Sequence, residues 1–376
     1  MAAYDVAVVG LGAMGSAALY HLATRGRRVV GIERATPGHL GGSSHGESRI
    51  IRMAYFEHPS YVPLLRRAYE NWRSLERATG AELMTITGIL EAGIRGSTVV
   101  QGSLAAARLH GLPHEILSAR QVAERFPAFT LPAEWEAVFQ PDGGFLRPEL
   151  AIDTHIAAAA AYGAETRLHC AVTSIVPTAG GVRVTAEGGT KIEAGAVIVS
   201  AGAWIGELVH EIARHLRLTR QALAWFAPAQ PALVGPEALP VFLLEDEDDI
   251  VYGFPDFAGT GVKAASHVPG PPLAHAGDAR QDGDAADAER IARMLAHYVP
   301  AAAGTVRTVK TCIYTNTPDQ DFILDRHPLY PQIILASPCS GHGFKFSSVV
   351  GEILADLATA GATPHDISRF RLDRFR

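Results

Sequence analysis

The sequence predicts an α/β fold in which a discontinuous, Rossmann-like domain is interrupted by a mixed, sheet-rich domain. Three observations carry that prediction. Residues 5–34 read as buried strand, glycine turn, helix and second buried strand. The run Ala196–Trp204 closes on Ala-Gly before another helix, as though the first sheet were resumed. Near the end, residues 332–357 again read strand, glycine turn and helix. By contrast, residues 218–317 are mostly short strands separated by Pro and Gly turns. The expected division is therefore 1–79, 147–217 and 318–376 for the first domain, and 80–146 and 218–317 for the second.

The opening unit has a physical purpose. Val6–Val9 is an apolar run suited to a fully buried parallel strand, and Gly10, Gly12 and Gly15 follow as G-x-G-x-x-G. Gly10 permits a tight turn, Gly12 lets the backbone approach a pyrophosphate, and Gly15 lets helix and strand pack closely. The helix pattern from Ala17 to Thr24 would offer its N-terminal N–H groups to the phosphates. Arg28–Ile32 is the second strand, and Glu33, with Arg34 next to it, ends it where a carboxylate can accept bonds from an adenosine ribose. Together these features predict a dinucleotide site but leave open which dinucleotide and which reaction.

The remaining elements follow in order. A Gly/Ser/His-rich loop runs to Arg49, and a helix pattern from Tyr61 to Leu75 carries Pro63 in its first turn and Gly80 as its stop. Thr87–Gly93 is strand-like, while Leu104–Leu109 and Ser118–Phe126 read as helices, the latter with a Ser118/Gln121 capping box. An alanine-rich helix spans Ala151–Tyr162, and Val172–Val176 with Val182–Thr185 form a strand pair. Later strands are Ala224–Phe226, Val241–Leu244, Ile250–Phe254, Gly261–Ser266 and Gln332–Ala336. The acidic run Glu245–Asp249 reads as a solvated hairpin turn, and 269–287 as a polar loop before a helix through Met294 and Tyr298.

Composition narrows the function. At 376 residues the chain can build two cores, and 48% hydrophobic with 19% charged content is that of a soluble globular protein. A net charge of −6 and a pI near 6.2 argue against nucleic acid as a partner. No apolar stretch is long enough to span a bilayer, so no membrane partner is expected, and a first strand near the fifth residue leaves no room for a signal peptide. Three cysteines, Cys170, Cys312 and Cys339, make no disulfide framework and fit a reducing cytoplasmic location. No metal-ligand spacing is recognised. The arginines of the tail, SRFRLDRFR, alternate with apolar residues and are expected to tie the C-terminus down.

Three further stretches belong together: SSHGESRIIR (Ser43–Arg52), VKTCIYTNTPDQDFILD (Val309–Asp325) and CSGHGFKFSS (Cys339–Ser348). With the N-terminal fingerprint they resemble the monomeric sarcosine oxidase family, which includes N-methyltryptophan oxidase. TGILEAG, GFLRPELA, AVIVSAGAW and FRLDRF extend the resemblance along nearly the whole chain. The resemblance implies FAD as cofactor, a secondary amino acid as substrate, O2 as the electron acceptor, and a monomer. The sequence itself leaves open which amino acid, and it also leaves a flavin dehydrogenase with another acceptor as the alternative. A nicotinamide-dependent dehydrogenase would share the fingerprint but would not account for CSGHGFKF or TCIYTNTPD.

Residue roles follow from the same resemblance. It implies that Cys312 is joined through sulfur to the flavin 8-methyl carbon, whereas taken alone the residue would be a small buried core side chain. Cys170 and Cys339 keep that plain role. Arg52 and Lys345 would hold the substrate carboxylate, the arginine bidentately and the lysine as a point charge. Arg49 and His45, with Ser43, would lie close to the flavin ring, where a cation stabilises the reduced form. Lys263 would activate oxygen, although an outward lysine between Val262 and Ala264 fits the same spacing. Tyr252, His267 and Tyr314 would line the substrate side, Val172 would pair with adenine through its backbone, and Gly341, Gly343 and Phe344 would contact the cofactor. Two departures stand near this site: Ser44 and Met53 replace histidines of the named oxidases.

Overall fold

A computed structural model describes residues 3–247 and 249–375. Its first sheet has eight strands. At its centre Tyr4–Val9 runs parallel to Val29–Ile32 on one side and Lys191–Val199 on the other, with Val6 opposite Ala196 and Val8 opposite Ile198. These strands are apolar on both faces because helices cover one side and further chain the other, the usual condition of a parallel sheet. Ile333–Ser337 adds parallel to Lys191–Val199, so the sheet is indeed resumed by the two later runs. The hairpin Val172–Thr178/Gly181–Ala186 and the strands Glu165–Arg167 and Ile323–Arg326 complete it.

Of three helices on this side, Pro148–Ala161 packs on Ala13–Thr24, which in turn contacts the sheet together with Ser347–Thr359. A fourth, Val62–Thr79, lies against the last of these. It carries its proline in the first turn and ends on Gly80 at φ 74°, as its spacing requires.

The second sheet has nine strands, drawn from residues 89–140, 217–273 and 306–316. Its longest pair is Arg217–Phe226 with Val306–Asn316, antiparallel, with Gln221 opposite Cys312 and Thr219 opposite Tyr314. Because side chains alternate along a strand, Cys312 and Tyr314 fall on one face, where they join Leu223, Trp225 and Ala265. A small third sheet joins Arg49–Ile51 and Met84–Ile86 to Gly144–Leu146.

Some elements differ from expectation. The helix expected at 104–109 begins earlier and spans Thr98–His110, and Val306–Asn316 is one continuous strand although its polar residues fall in adjacent pairs and not at alternate positions. The Ser118/Gln121 capping box is formed. The acidic turn is not wholly solvated: Asp249 is 3% exposed, accepts from Ser266 Oγ at 2.7 Å and pairs with Arg290 at 2.8 Å. Asp248 lies outside the described residues. The tail is anchored as expected, with Arg369 on Asp321 and Arg374 on Asp319, each at 2.7 Å, around a buried Phe370. Among the described residues, no helix is long and apolar enough to cross a membrane and no His/Cys/Asp/Glu group could hold a metal ion.

Candidate active site

One cavity of about 490 Å³ is lined by residues of both large sheets, a volume in the range of small-molecule sites. One end is the glycine turn. Gly10 has φ +89°, and a Cβ there would sit 2.5 Å from the Ser200 carbonyl oxygen. Gly15 is behind the wall rather than on it, because a Cβ at Gly15 would lie 1.8 Å from the Gly10 oxygen. Its role is close packing of helix on strand. Gly12 lines the cavity at the start of Ala13–Thr24, where the Ala13 N–H donates to Ser44 Oγ at 3.4 Å. Glu33 is held in place by the N–H groups of Leu11 (2.8 Å) and Ala35 (3.1 Å). Arg34 lies over the Trp204 ring at 4.3 Å, and Val172 faces the same end. Cys170 and Cys339 also line the cavity, so they are not the plain core residues expected.

Midway stand Ser43, Arg49 and Cys312. Ser43 Oγ donates to the Ile313 carbonyl at 2.6 Å, and Arg49 donates to the carbonyls of Ser43, His45 and Ser48. Burial pushes the Cys312 thiol up, against the opposing fields of Arg49 and Lys263. The loop is pinned by Glu149, at the first turn of its helix, which accepts from the N–H groups of Gly46 (2.6 Å) and Glu47 (3.1 Å).

His45 and Lys263 are placed differently from expectation, since neither is among the residues on the cavity wall. His45 is 1% exposed, and neither ring nitrogen makes a well-aligned hydrogen bond, although the Thr311 backbone lies alongside. Burial, then Arg49, lowers it to about 4, so it is a neutral imidazole. Lys263 is buried rather than outward. Its Nζ donates to the Gly46 (2.6 Å) and Ser48 (2.8 Å) carbonyls and sits 4.7 Å from the Phe254 ring centroid. Burial, then Arg49, holds it well below the usual lysine range.

The far end is cationic. Arg52 is 2% exposed and lies over Tyr55 and Phe56 at 4.4 and 4.6 Å. It is already paired: its NH2 meets both oxygens of Glu57 at 2.7 and 2.9 Å, and its NH1 lies 3.1 Å from Glu91. Lys345 donates to the His342 carbonyl at 2.8 Å, and burial, then Arg52, lowers it to about 7. Burial raises Glu57, but Arg52 wins and brings it down to about 2. His342 accepts at Nδ1 from the Tyr55 hydroxyl (2.6 Å), because its Nε2 faces the Gln320 carbonyl at 2.9 Å, which can only accept. Tyr252, His267 and Tyr314 line this end, and burial lowers His267 to about 4. Gly341, Gly343 and Phe344 form the adjoining wall.

Glu57, Glu91, Glu149 and Tyr55 are the residues sequence reasoning missed. An acid five residues from Arg52 was visible in RMAYFEHP, but nothing in the sequence placed Glu91 beside it.

A glycine turn at a helix N-terminus, a buried carboxylate beyond it and one cavity leading to a cation pair define a dinucleotide-dependent oxidoreductase. Residues 5–357 match the family model described as FAD dependent oxidoreductase, and the chain belongs to that family. It is 41% identical over 375 residues to a monomeric sarcosine oxidase of Streptomyces avermitilis, covering 98% of this chain and 96% of that protein. It is 37% identical over 375 residues to N-methyl-L-tryptophan oxidase of Yersinia pestis, covering 99% and 100%. Among solved structures it superposes on NikD, described as an unusual amino acid oxidase, with a TM-score of 0.87 and 26% identity over 98% of this chain and 97% of that one. FAD is thus the cofactor, and the site accommodates it: Gly12 leaves room for a pyrophosphate at the helix N-terminus, and the cavity runs on from there past Cys312.

Proposed function

We propose that this protein oxidises a secondary α-amino acid, N-methylated or cyclic, to an imine, which hydrolyses to an amino acid and an aldehyde while O2 becomes hydrogen peroxide. The observation that carries the proposal is the continuity of the cavity from the glycine turn, past Cys312, to the Arg52–Lys345 pair. In that arrangement Gly10, Gly12, Glu33, Arg34 and Val172 hold the adenosine end, and Ser43, Arg49, Gly341, Gly343 and Phe344 hold the flavin end, with Cys312 as the point of covalent attachment. Bound there, FAD supplies the two-electron acceptor that a protein side chain cannot.

Arg52 and Lys345 bind the substrate carboxylate. Glu57 occupies the Arg52 face that points into the cavity, so the substrate competes with it for the guanidinium. The cost of that displacement favours a ligand with its own carboxylate. Tyr252, Tyr314 and neutral His267 surround the amine side, presenting uncharged polar edges that suit a free amine better than an ammonium. Lys263 and Arg49 supply the positive charge that stabilises a nascent oxygen anion, with neutral His45 beneath them. The protein acts as a monomer in the cytoplasm, where the remaining thiols, Cys170 and Cys339, stay reduced.

A second activity, electron transfer to an acceptor other than oxygen, is favoured by one observation: Lys263 is spent on the Gly46 and Ser48 backbone instead of facing the cavity. Carboxylate recognition is tested by comparing sarcosine with sarcosinamide in anaerobic bleaching of the purified yellow protein. Sarcosine should bleach it and the amide should be at least about a hundredfold poorer, the scale of losing a charge-assisted contact. Equal efficiency would remove Arg52 and Lys345 from the substrate site.

A further inference from the structure

Arg52 carries two carboxylates, and only one of them faces the cavity. Glu57 lines it, while Glu91 stands on Ile89–Ile94, an interior strand of the nine-stranded sheet, and is fully buried. Glu91 Oε1 lies 3.1 Å from Arg52 NH1. Its other oxygen accepts a short hydrogen bond from Gln140 Nε2, and Gln140 is in turn fixed by Ala54, whose N–H donates to Oε1 at 2.7 Å. Arg52 NH1 also donates to the Ala54 carbonyl at 3.1 Å. The guanidinium is thus held from the sheet side by the Glu91 ion pair and the Ala54 carbonyl, contacts that do not involve the cavity, while Glu91 Oε1 itself makes no aligned hydrogen bond.

Charge counting gives this arrangement a consequence. Without substrate, Glu57 and Glu91 face Arg52 and Lys345, two negative charges against two positive. A substrate carboxylate makes three against two in a region sealed from water, where an unpaired charge is expensive. Resting on the carboxylate-binding role of Arg52 and Lys345, we propose that Glu91 is a positioning residue that holds Arg52 from behind and takes up a proton from solvent when a substrate carboxylate enters. The step is one proton from bulk buffer to the Glu91 carboxylate, and no other bond changes.

The groups around Glu91 agree. Burial raises it, Arg52 opposes that, Gln140 and Ser103 stabilise the anion and Glu57 repels it, with a net value of about 7. Added negative charge moves it further up, so the uptake is largest at and above neutral pH. Lys345, lowered to about 7, is a second acceptor for the same event, and Glu57, once displaced from Arg52, is a third. The test must separate the three.

Butyrate, a carboxylate with no oxidisable amine, serves as the probe on the FAD-loaded enzyme. Calorimetry at about pH 8, in two buffers of different ionisation enthalpy, should show net proton uptake by the wild type and about one proton fewer for Glu91→Gln. The Kd for butyrate should weaken as pH rises above about 7 in the wild type, and its dependence should flatten in Glu91→Gln. Independently of any variant, infrared difference spectra taken with carbon-13 butyrate should show a new protonated carboxylic acid of the protein, a signal that protonation of Lys345 cannot give. Uptake and infrared band both unchanged in Glu91→Gln would overturn the proposal in favour of Glu57, and uptake without any band would overturn it in favour of Lys345. Failure of butyrate to bind the wild type at all would instead overturn the carboxylate site on which it rests.

Discussion

Cys312 and Lys263 show how burial changes what a residue can do. Cys312 sits on the cavity wall, but burial raises its thiol, and only Arg49 and Lys263 favour the thiolate. The proposed attachment to the flavin would therefore depend on those two cations as well as on the cysteine. Acid precipitation of the purified protein should leave a yellow pellet, and Cys312→Ser should release all colour to the supernatant. A colourless wild-type pellet would rule out the covalent bond. Lys263 is the more exacting case, because it is held by backbone carbonyls next to Arg49. Lys263→Met should leave anaerobic reduction by substrate within a few fold of wild type and slow reoxidation by oxygen by roughly 10²-fold or more, the effect of removing one preorganised charge. Unchanged reoxidation would remove Lys263 from the oxygen reaction. The spacing of Lys263 could not separate inward from outward, because Val262 and Ala264 are buried too: the strand is covered on both faces, and alternation carries no signal there.

At the scale of elements, the site depends on helices that are locked to one another. Ser347–Thr359, which follows the Gly-His-Gly turn and Lys345, is joined to Val62–Thr79 by Glu352, whose carboxylate takes two bonds from Arg67 (2.7 and 2.8 Å) and one from Asn71 (2.9 Å), with His365 at 3.5 Å. Trp72 of Val62–Thr79 donates to the Lys345 carbonyl at 3.0 Å, so this contact also places the lysine proposed to bind the substrate. Burial raises the Glu352 carboxyl, but His365, Arg67 and Asn71 outweigh it and hold it well below its ordinary 4.5. Its contribution is therefore complete above about 4.5 and is lost as pH falls toward the lower folded value. Glu352→Gln should cost roughly 1–3 kcal/mol near neutral pH, measured by denaturant unfolding, and the difference from wild type should shrink in acid. A difference that stays constant down to pH 3 would show that charge is not the source. Most of these helices were legible, since Gly80, Pro63 and the Ser118/Gln121 box act through local backbone rules. Val306–Asn316 was not, because its polar residues follow no two-residue period and its partner strand lies about ninety positions away.

For the whole molecule, two sheets contribute opposite ends of one reaction space. The parallel sheet presents the glycine turn and Glu33, while the nine-stranded sheet presents Cys312, Tyr314 and Tyr252. The turn was readable because its requirement is local: Gly10 and Gly15 tolerate no Cβ where they stand. The cation pair was readable only through resemblance, and Glu91 beside it not at all, since Arg52, Glu91 and Lys345 meet only after both sheets have formed, whereas Glu57 stood in view five residues from Arg52. That meeting implies an enzyme selective for amino acids whose carboxylate displaces Glu57 and whose amine is carried past His267 toward the flavin end. The most direct test is stoichiometric: sarcosine, N-methyltryptophan, pipecolate and proline are each supplied in air, and O2 consumed, peroxide formed and aldehyde released are measured together. At least one secondary amino acid should consume O2 and yield peroxide in equal amounts, with an equal amount of formaldehyde where an N-methyl carbon is oxidised. Reduction of the enzyme by these substrates without peroxide, or no reaction with any of them, would contradict the proposed oxidase.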